Sequence, residues 1–312
     1  MDLLVLAGPT AVGKTAIALE LVRRLGWLEI VSADSMQVYK FMDIGTAKPT
    51  EEERGGIPYH LIDIVYPDDT YSAGRYSKDA KDVVEGIRAK GKIPVIVGGT
   101  GLYIRALVDG MFEMPPVPTS VRKRLFEEAE AFGLDFLYRK LRDLDPETAR
   151  RIHPNDRVRI IRALEIAELT GSVPSALRTQ WGKGSRFNAL MICLWMEKDR
   201  LHKRIEDRVD KMIEAGFLDE VKGLLDMGYG EELVSMRSIG YRHMVRVIKG
   251  ELELGEAVEI MKRDTKLLAK RQMTWFRGDK RYEFLHVGED LEEVVRALAD
   301  RITSRLDSEG GS

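Results

Sequence analysis

The sequence carries one cysteine, Cys193, in 312 residues. A lone thiol forms no intrachain disulfide and no cysteine-based zinc site, so the fold must stand on packing alone. Long apolar runs are also missing. No stretch is long enough to span a bilayer, and Met1-Asp2-Leu3 leads into a strand pattern rather than a signal peptide. The expectation is a cytoplasmic chain with no membrane partner. Charge of one sign is lacking too. With 49 Lys and Arg against 51 Asp and Glu, the formal net charge is −2. Any pull toward nucleic acid must therefore come from local patches. There is no internal repeat and no low-complexity tract, and only the tail after Leu306 reads as frayed. No exposed apolar patch calls for a second copy, and a monomer is expected.

What is present begins with Gly8-Pro9-Thr10-Ala11-Val12-Gly13-Lys14-Thr15, which fits the phosphate-loop pattern G-x-x-x-x-G-K-[ST] at every fixed position. Leu3 to Ala7 reads as a buried strand before it. Thr15 to Leu25 reads as a helix after it, with Ile17, Leu21 and Leu25 on one face. A strand, a glycine turn and a helix start aim backbone N–H groups at one point, which attracts phosphate. Lys14 adds a charge there, and Thr15 offers a hydroxyl to Mg2+. The loop is shared by nucleotide-binding and ATP-binding proteins, and by itself it specifies only a di- or triphosphate.

Glu29 to Ser32 reads as a second strand, ending in Ala33-Asp34-Ser35-Met36-Gln37. A carboxylate at that edge has three readings: a loop acid or helix cap, a Mg2+ ligand, or a general base. His60 lacks a metal partner at ligand spacing, which leaves it a structural hydrogen bond. Ser72 caps a helix to Lys90 whose inner face is Tyr76, Ala80, Val83, Val84 and Ile87. Ile93 to Val97 is a buried strand followed by Gly98-Gly99-Thr100-Gly101. A typical NTPase of this loop class places an aspartate there, for Mg2+ and water. Its replacement by glycine argues against ordinary ATP hydrolysis.

Met114-Pro115-Pro116-Val117-Pro118 marks a boundary. Helices are expected from Thr119 or Ser120 to Ala131, from Asp135, from Asp145-Pro146-Glu147, and from Asn155 or Asp156 to Gly171. Gly182-Lys183-Gly184-Ser185 leads back to a strand at Ala189 to Trp195. The expected fold is α/β: a P-loop-type doubly wound parallel sheet core (1–112 and 186–312) with an inserted all-helical domain (113–185). Further on, Asp199 caps a helix with Leu201, Ile205, Val209, Met212 and Ile213 inward, and a long helix runs from Gly255 to Phe276. Two basic clusters stand out. One is Arg150, Arg151, Arg157, Arg159 and Arg162. The other spans 262 to 281 and is interleaved with Trp275 and Phe276. Each alone reads as a solvated helix face; together they suit a nucleic-acid backbone lying in a cleft between core and insertion. Three functions fit: group transfer from a diphosphate to a nucleic acid, a small-molecule kinase with a helical lid, or a nucleotide-switched RNA binder without catalysis.

The motifs resemble one family. Gly8 to Thr15, Ser32 to Lys40, Met42 to Pro49, Val97 to Tyr103, His153-Pro154-Asn155-Asp156, Ser238 to Arg242 and Lys270 to Arg277 together look like the tRNA dimethylallyltransferases, of the compact bacterial type. The resemblance implies transfer of a dimethylallyl group from dimethylallyl diphosphate to the exocyclic amine of the adenosine 3′ of the anticodon. Mg2+ assists, and the partner is a tRNA anticodon stem-loop. It implies that Gly8, Pro9, Thr10, Ala11, Val12, Gly13, Lys14 and Thr15 hold the diphosphate rather than ATP, with Thr15 on the metal and Arg237 as a second pyrophosphate cation. Asp34 becomes the general base. Thr100 orients the amine, and Gly98 and Gly99 leave room for a flipped adenosine. Implied tRNA contacts are Asp34, Ser35, Met36 and Gln37; Thr100 and Arg122; Val158, Arg159, Ile160, Ile161 and Arg162; Arg237, Ser238, Ile239, Gly240, Tyr241 and Arg242; and Lys270, Arg271, Gln272, Met273, Thr274, Trp275, Phe276 and Arg277. The insertion would close over the anticodon stem.

Overall fold

The first strand, β1 (Leu3–Ala7), is apolar at every position and wholly buried. A strand of that kind needs cover on both faces, which a parallel sheet with helices on either side provides. The protein is described here from a computed structural model covering residues 1–110, 119–178 and 185–310. The elements after β1 are α1 (Lys14–Leu25), β2 (Leu28–Ser32), α2 (Glu51–Arg54), β3 (Tyr59–His60), α3 (Ala73–Ala89), β4 (Ile93–Gly98) and α4 (Gly101–Val108). Five helices follow: α5 (Thr119–Phe132), α6 (Leu134–Leu144), α7 (Pro146–Arg151), α8 (Arg157–Thr170) and α9 (Pro174–Arg178). The chain then forms β5 (Ala189–Trp195), α10 (Lys198–Glu214), α11 (Phe217–Asp226), α12 (Tyr241–Ile248), α13 (Leu254–Arg277), β6 (Glu283–His286) and α14 (Leu291–Gly310).

The six strands form one sheet in the order β3-β2-β4-β1-β5-β6, and every pairing is parallel. The period-two alternation of β1 divides the core. Leu3, Val5 and Ala7 face a cluster that takes in Tyr76, Ile104, Phe217, Tyr241 and Phe276. Leu4 and Leu6 face a second cluster with Ile17, Leu21, Ile205 and Leu298. Strand β5 lies beside β1, pairing Leu3 with Ala189 through Ala7 with Cys193.

Two compact units result, one of residues 1–108 with 187–312 and the other of residues 109–186. The second contains helices only among its described residues and has its own core of Leu125, Leu137, Leu141, Ile160, Ile161 and Leu164. The Met114–Pro118 boundary and Gly182-Lys183-Gly184 lie outside the described residues.

Local signals account for several helix ends. Ser72 accepts from the Arg75 N–H, Asp145 from Thr148 with Pro146 in the first turn, and Asp156 from Arg159; Gly171 closes α8 in the left-handed region. Two expectations shift. Helix α10 starts after Glu197, so Asp199 lies in its first turn, where a carboxylate suits the helix dipole. The stretch after Leu306 continues α14 to Gly310 rather than fraying. Histidine 60 makes the structural bond expected of it, 2.9 Å from its Nε2 to Glu29 Oε2.

Candidate active site

The site lies beyond the carboxyl ends of β1, β2 and β4, where doubly wound sheets bind ligands. After β1 the loop turns through Gly8, Ala11 and Gly13, all at positive φ, and Gly13 caps α1 at φ 105° with no side-chain bond. The start of α1 therefore keeps N–H groups free to meet an anion. Lys14 Nζ donates to Gly8 O at 3.0 Å and to Pro9 O at 2.8 Å. Burial pulls its pKa down to about 8, although the Asp34 charge pulls the other way and Arg208 adds to the lowering.

A small polar cavity opens here, lined among others by Thr10, Lys14, Thr15, Asp34, Tyr59 and Arg208. Thr15 shares a hydrogen bond with the phenol of Tyr59, whose pKa is raised by burial. Asp34 Oδ1 accepts from Met36 N at 2.9 Å and Gln37 N at 3.4 Å. Among the described residues its Oδ2 has no hydrogen-bond donor, so one oxygen is fixed and the other is free at the cavity. Thr100 Oγ1 accepts from Ser35 N at 3.1 Å and donates to Ser35 Oγ at 3.3 Å, which ties the end of β4 to the Asp34 turn.

Arg208 is the residue the sequence reading missed. Its guanidinium donates to Thr10 Oγ1 at 3.3 Å and to Thr46 O at 3.5 Å, and burial lowers its pKa. The signal existed: position 208 falls on the same face of α10 as Leu201 and Ile205, so it is an arginine within an apolar stripe. Arg204, one turn earlier, lies beside Gly13, 3.5 Å from where a Cβ there would stand. Arg237, expected as the second pyrophosphate cation, is exposed and outside the cavity lining. Ser235 Oγ is anchored to Pro67 O at 2.6 Å, and the turn that follows carries Arg237 outward.

At the glycines ending and following β4, the space a side chain would take is already filled. A Cβ on Gly98 would stand 2.1 Å from Ala33 O, one on Gly99 2.3 Å from Gln272 Nε2, and one on Gly101 2.2 Å from Trp275 Cδ1. They admit the backbone just after β2 and the side chains of α13, while Gly98 also borders the cavity. Gln272 accepts from Thr10 N at 2.8 Å and donates to Gly99 O at 3.0 Å, bridging the phosphate loop to the β4 turn.

The expected RNA contacts divide by exposure. Gln37 is buried, with Nε2 donating to Thr46 O and Ala47 O, so its side chain is used inside the protein. Ser35 is held by Thr100, and Met36 packs on the core. Ile160 and Ile161 lie in the helical core, and Tyr241 and Phe276 in the main one. Arg122 and Arg162 both pair with Glu165, which is fully buried. Val158 is 73% exposed, and Arg159 is exposed beside Asp156. Ser238 Oγ donates to Ser235 O, Gly240 caps α12, and Arg242 pairs with Asp264. On α13, Lys270, Arg271, Thr274, Trp275 and Arg277 are exposed, with Met273 packed inward. Among the described residues Lys270, Arg271 and Arg277 have no ion-pair partner, whereas Lys262, Arg263 and Lys266 do. No group of three His, Cys, Asp or Glu that would hold a metal occurs among the described residues.

Comparison with known proteins identifies the family. Residues 37–279 match the model of the IPP transferases. The chain belongs to the IPP transferase family. It is 48% identical to the tRNA dimethylallyltransferase of Syntrophobacter fumaroxidans, over 98% of this chain and 90% of that one. The crystal structure of the full-length tRNA isopentenylpyrophosphate transferase of Bacillus halodurans superposes with a TM-score of 0.73 at 38% identity, covering 100% of this chain and 99% of that one. A eukaryotic dimethylallyltransferase acting on tRNA superposes with a TM-score of 0.77 at 30% identity, covering 92% of this chain and 74% of that one. Family membership accounts for the all-parallel sheet. Among the described residues, no helix of this member is long and apolar enough to cross a membrane.

Proposed function

We propose that the chain is a tRNA dimethylallyltransferase, moving the dimethylallyl group from dimethylallyl diphosphate to N6 of the adenosine 3′ of the anticodon. The observation that carries this is the meeting of Lys14, Arg208 and the free Asp34 oxygen in one cavity at the phosphate loop. The C–N bond forms as the allylic C–O bond breaks, and pyrophosphate leaves with the electron pair. The α1 amides, Lys14 and Arg208 face the charge that grows on it, a gain specific to the transition state. Asp34 accepts the proton lost from nitrogen. An aromatic amine is a weak nucleophile, so general-base help of ~10²–10⁴ is expected. Thr100 acts at one remove, by holding the Ser35 turn.

Thr15 is a hard oxygen donor at the cavity, and Mg2+ is commonly held by one or two protein oxygens plus substrate phosphates. The donor set fits that ion, with Thr15 and the diphosphate as ligands. Mg2+ would neutralise charge on the leaving group. For the tRNA we assign the exposed α13 residues Lys270, Arg271, Trp275 and Arg277 to the core unit's share of contacts, and Val158 and Arg159 to the helical unit's. Cations without partners suit phosphates, and an exposed indole suits an unstacked base.

The test is transfer of labelled dimethylallyl from its diphosphate to unmodified tRNA with Mg2+, with Asp34→Ala alongside. Label entering tRNA, and falling ~10²-fold or more in the variant, is expected. Consumption of ATP with no label in tRNA would replace this reading with a kinase.

A further inference from the structure

Glu220, on α11, lies far in sequence from every phosphate-loop residue. Its carboxylate nevertheless collects four donors. Asp43 N and Ile44 N reach Oε2 at 2.9 and 2.6 Å, and Gly45 N reaches Oε1 at 3.2 Å. Tyr241 Oη donates to Oε1 at 2.6 Å. Three consecutive backbone N–H groups turned toward one point form an anion nest, and here a side chain of the same protein fills it. Bonds of this kind to a carboxylate are about twice as strong as neutral ones.

The braced segment leads directly into the cavity. Thr46 and Ala47 follow Gly45 and line it. The Thr46 carbonyl accepts from both Arg208 and Gln37, and the Ala47 carbonyl from Gln37. Gly45 fits so closely that a Cβ would stand 2.2 Å from the Phe217 ring, which also packs edge-on against Tyr241 at 5.0 Å. The wall that aims Arg208 is thus set by α11 and α12. Asp34 and Thr100 take their own bonds from the Met36 and Gln37 amides and from Ser35, none of them from Glu220.

We propose that Glu220 is a positioning residue for the diphosphate: by anchoring residues 43–45 it fixes the Thr46 carbonyl and through it the Arg208 guanidinium. This rests on reading the cavity as a diphosphate site. Glu220→Gln keeps the shape but replaces one acceptor with an amide N–H2 facing donors. Tyr241→Phe removes one donor only. The measurement is the dissociation constant for Mg-pyrophosphate by calorimetry, together with KM for dimethylallyl diphosphate, KM for tRNA, and kcat. Glu220→Gln is expected to weaken pyrophosphate binding about tenfold and to raise KM for dimethylallyl diphosphate in step. KM for tRNA and the pH profile of kcat should stay close to wild type. Tyr241→Phe should move the same constants in the same direction by less, and it decides the matter if Glu220→Gln fails to fold. Wild-type pyrophosphate affinity in both variants, with only the melting temperature lowered, would make Glu220 a structural brace and overturn the proposal. A wild-type protein that binds pyrophosphate but transfers nothing to tRNA would sink the transferase reading and leave Glu220 to be judged on binding alone. A wild-type protein that binds no pyrophosphate would overturn both.

Discussion

Lys14 is the residue on which pH should act most directly. Its ammonium is held near pKa 8 by burial, so in the free protein it is charged below that pH and loses its charge above it. The kcat/KM for dimethylallyl diphosphate, which reports the free enzyme, is expected to fall as pH rises through about 8. Lys14→Met should lower kcat/KM and flatten that limb. A limb unchanged in the variant would assign the titration to another group. Arg208 and Arg237 offer a second test at this scale. Arg208→Ala removes a cavity cation and should raise KM for the diphosphate by about tenfold or more, since charged hydrogen bonds contribute about 1.5–3 kcal/mol. Arg237→Ala should raise it less, and the reverse order would restore Arg237 to the diphosphate.

At the scale of the element, α13 and β2 each do work that their own sequences hide. Gln272 is half-buried on a helix with Lys270, Arg271 and Trp275 exposed beside it, yet it holds the phosphate loop through Thr10 and the β4 turn through Gly99. Gln272→Ala should cost about 1–2 kcal/mol of stability and leave the Thr10 amide without its partner, measurable by denaturant unfolding with diphosphate affinity alongside. Strand β2 carries Glu29, nearly fully buried. Burial alone would push its carboxyl up. Hydrogen bonds from Lys92 and His60 and the charges of Lys92 and Lys90 outweigh it and bring the pKa to about 2 from 4.5. A carboxylate with a depressed folded-state pKa adds stability that is whole above its unfolded value. That stability is lost as pH falls from about 4.5 through about 2. Glu29→Gln should therefore be less stable at neutral pH and show a shallower acid limb in melting temperature.

Elements with local signals were legible. The phosphate loop, the Ser72, Asp145 and Asp156 caps and the apolar strands β1, β4 and β5 are written in short stretches of chain. Strand β6 was not, because its exposed residues Glu283, Phe284 and His286 at the sheet edge lack a buried face to impose alternation. Helix α4 was hidden behind Gly98 and Gly99, read as room for a base, which meet Ala33 and the distant Gln272. The brace of Glu220 on Gly45 and the bridge of Gln272 to Thr10 span 175 and 262 residues, beyond the reach of any spacing rule. The basic clusters were legible as charge but not as free charge. Glu147, Glu130, Asp156 and Glu165 take up four of the five arginines in the insertion's cluster, Arg151, Arg157, Arg159 and Arg162.

For the whole molecule, a net charge of −2 means that RNA is attracted by a strip rather than by the protein at large. Each of Lys270→Ala, Arg271→Ala and Arg277→Ala should reduce the slope of log affinity for tRNA against log salt by about 1, with little change in diphosphate affinity. Slopes equal to wild type in all three would move the RNA surface elsewhere.

The placement of β5 has a further effect, on synthesis. Strand β1 emerges among the first residues, but β4 follows it by about 85 residues and its other neighbour follows β4 by about 90 more. At ribosomal rates of about 5–20 residues per second, that gap lasts about 5–20 s. Through that interval a wholly apolar strand has one unpaired edge, the kind of surface that recruits other nascent chains. The helices of residues 109–186, which carry their own core, are made during the same interval, so the helical unit is synthesised before the sheet can be completed.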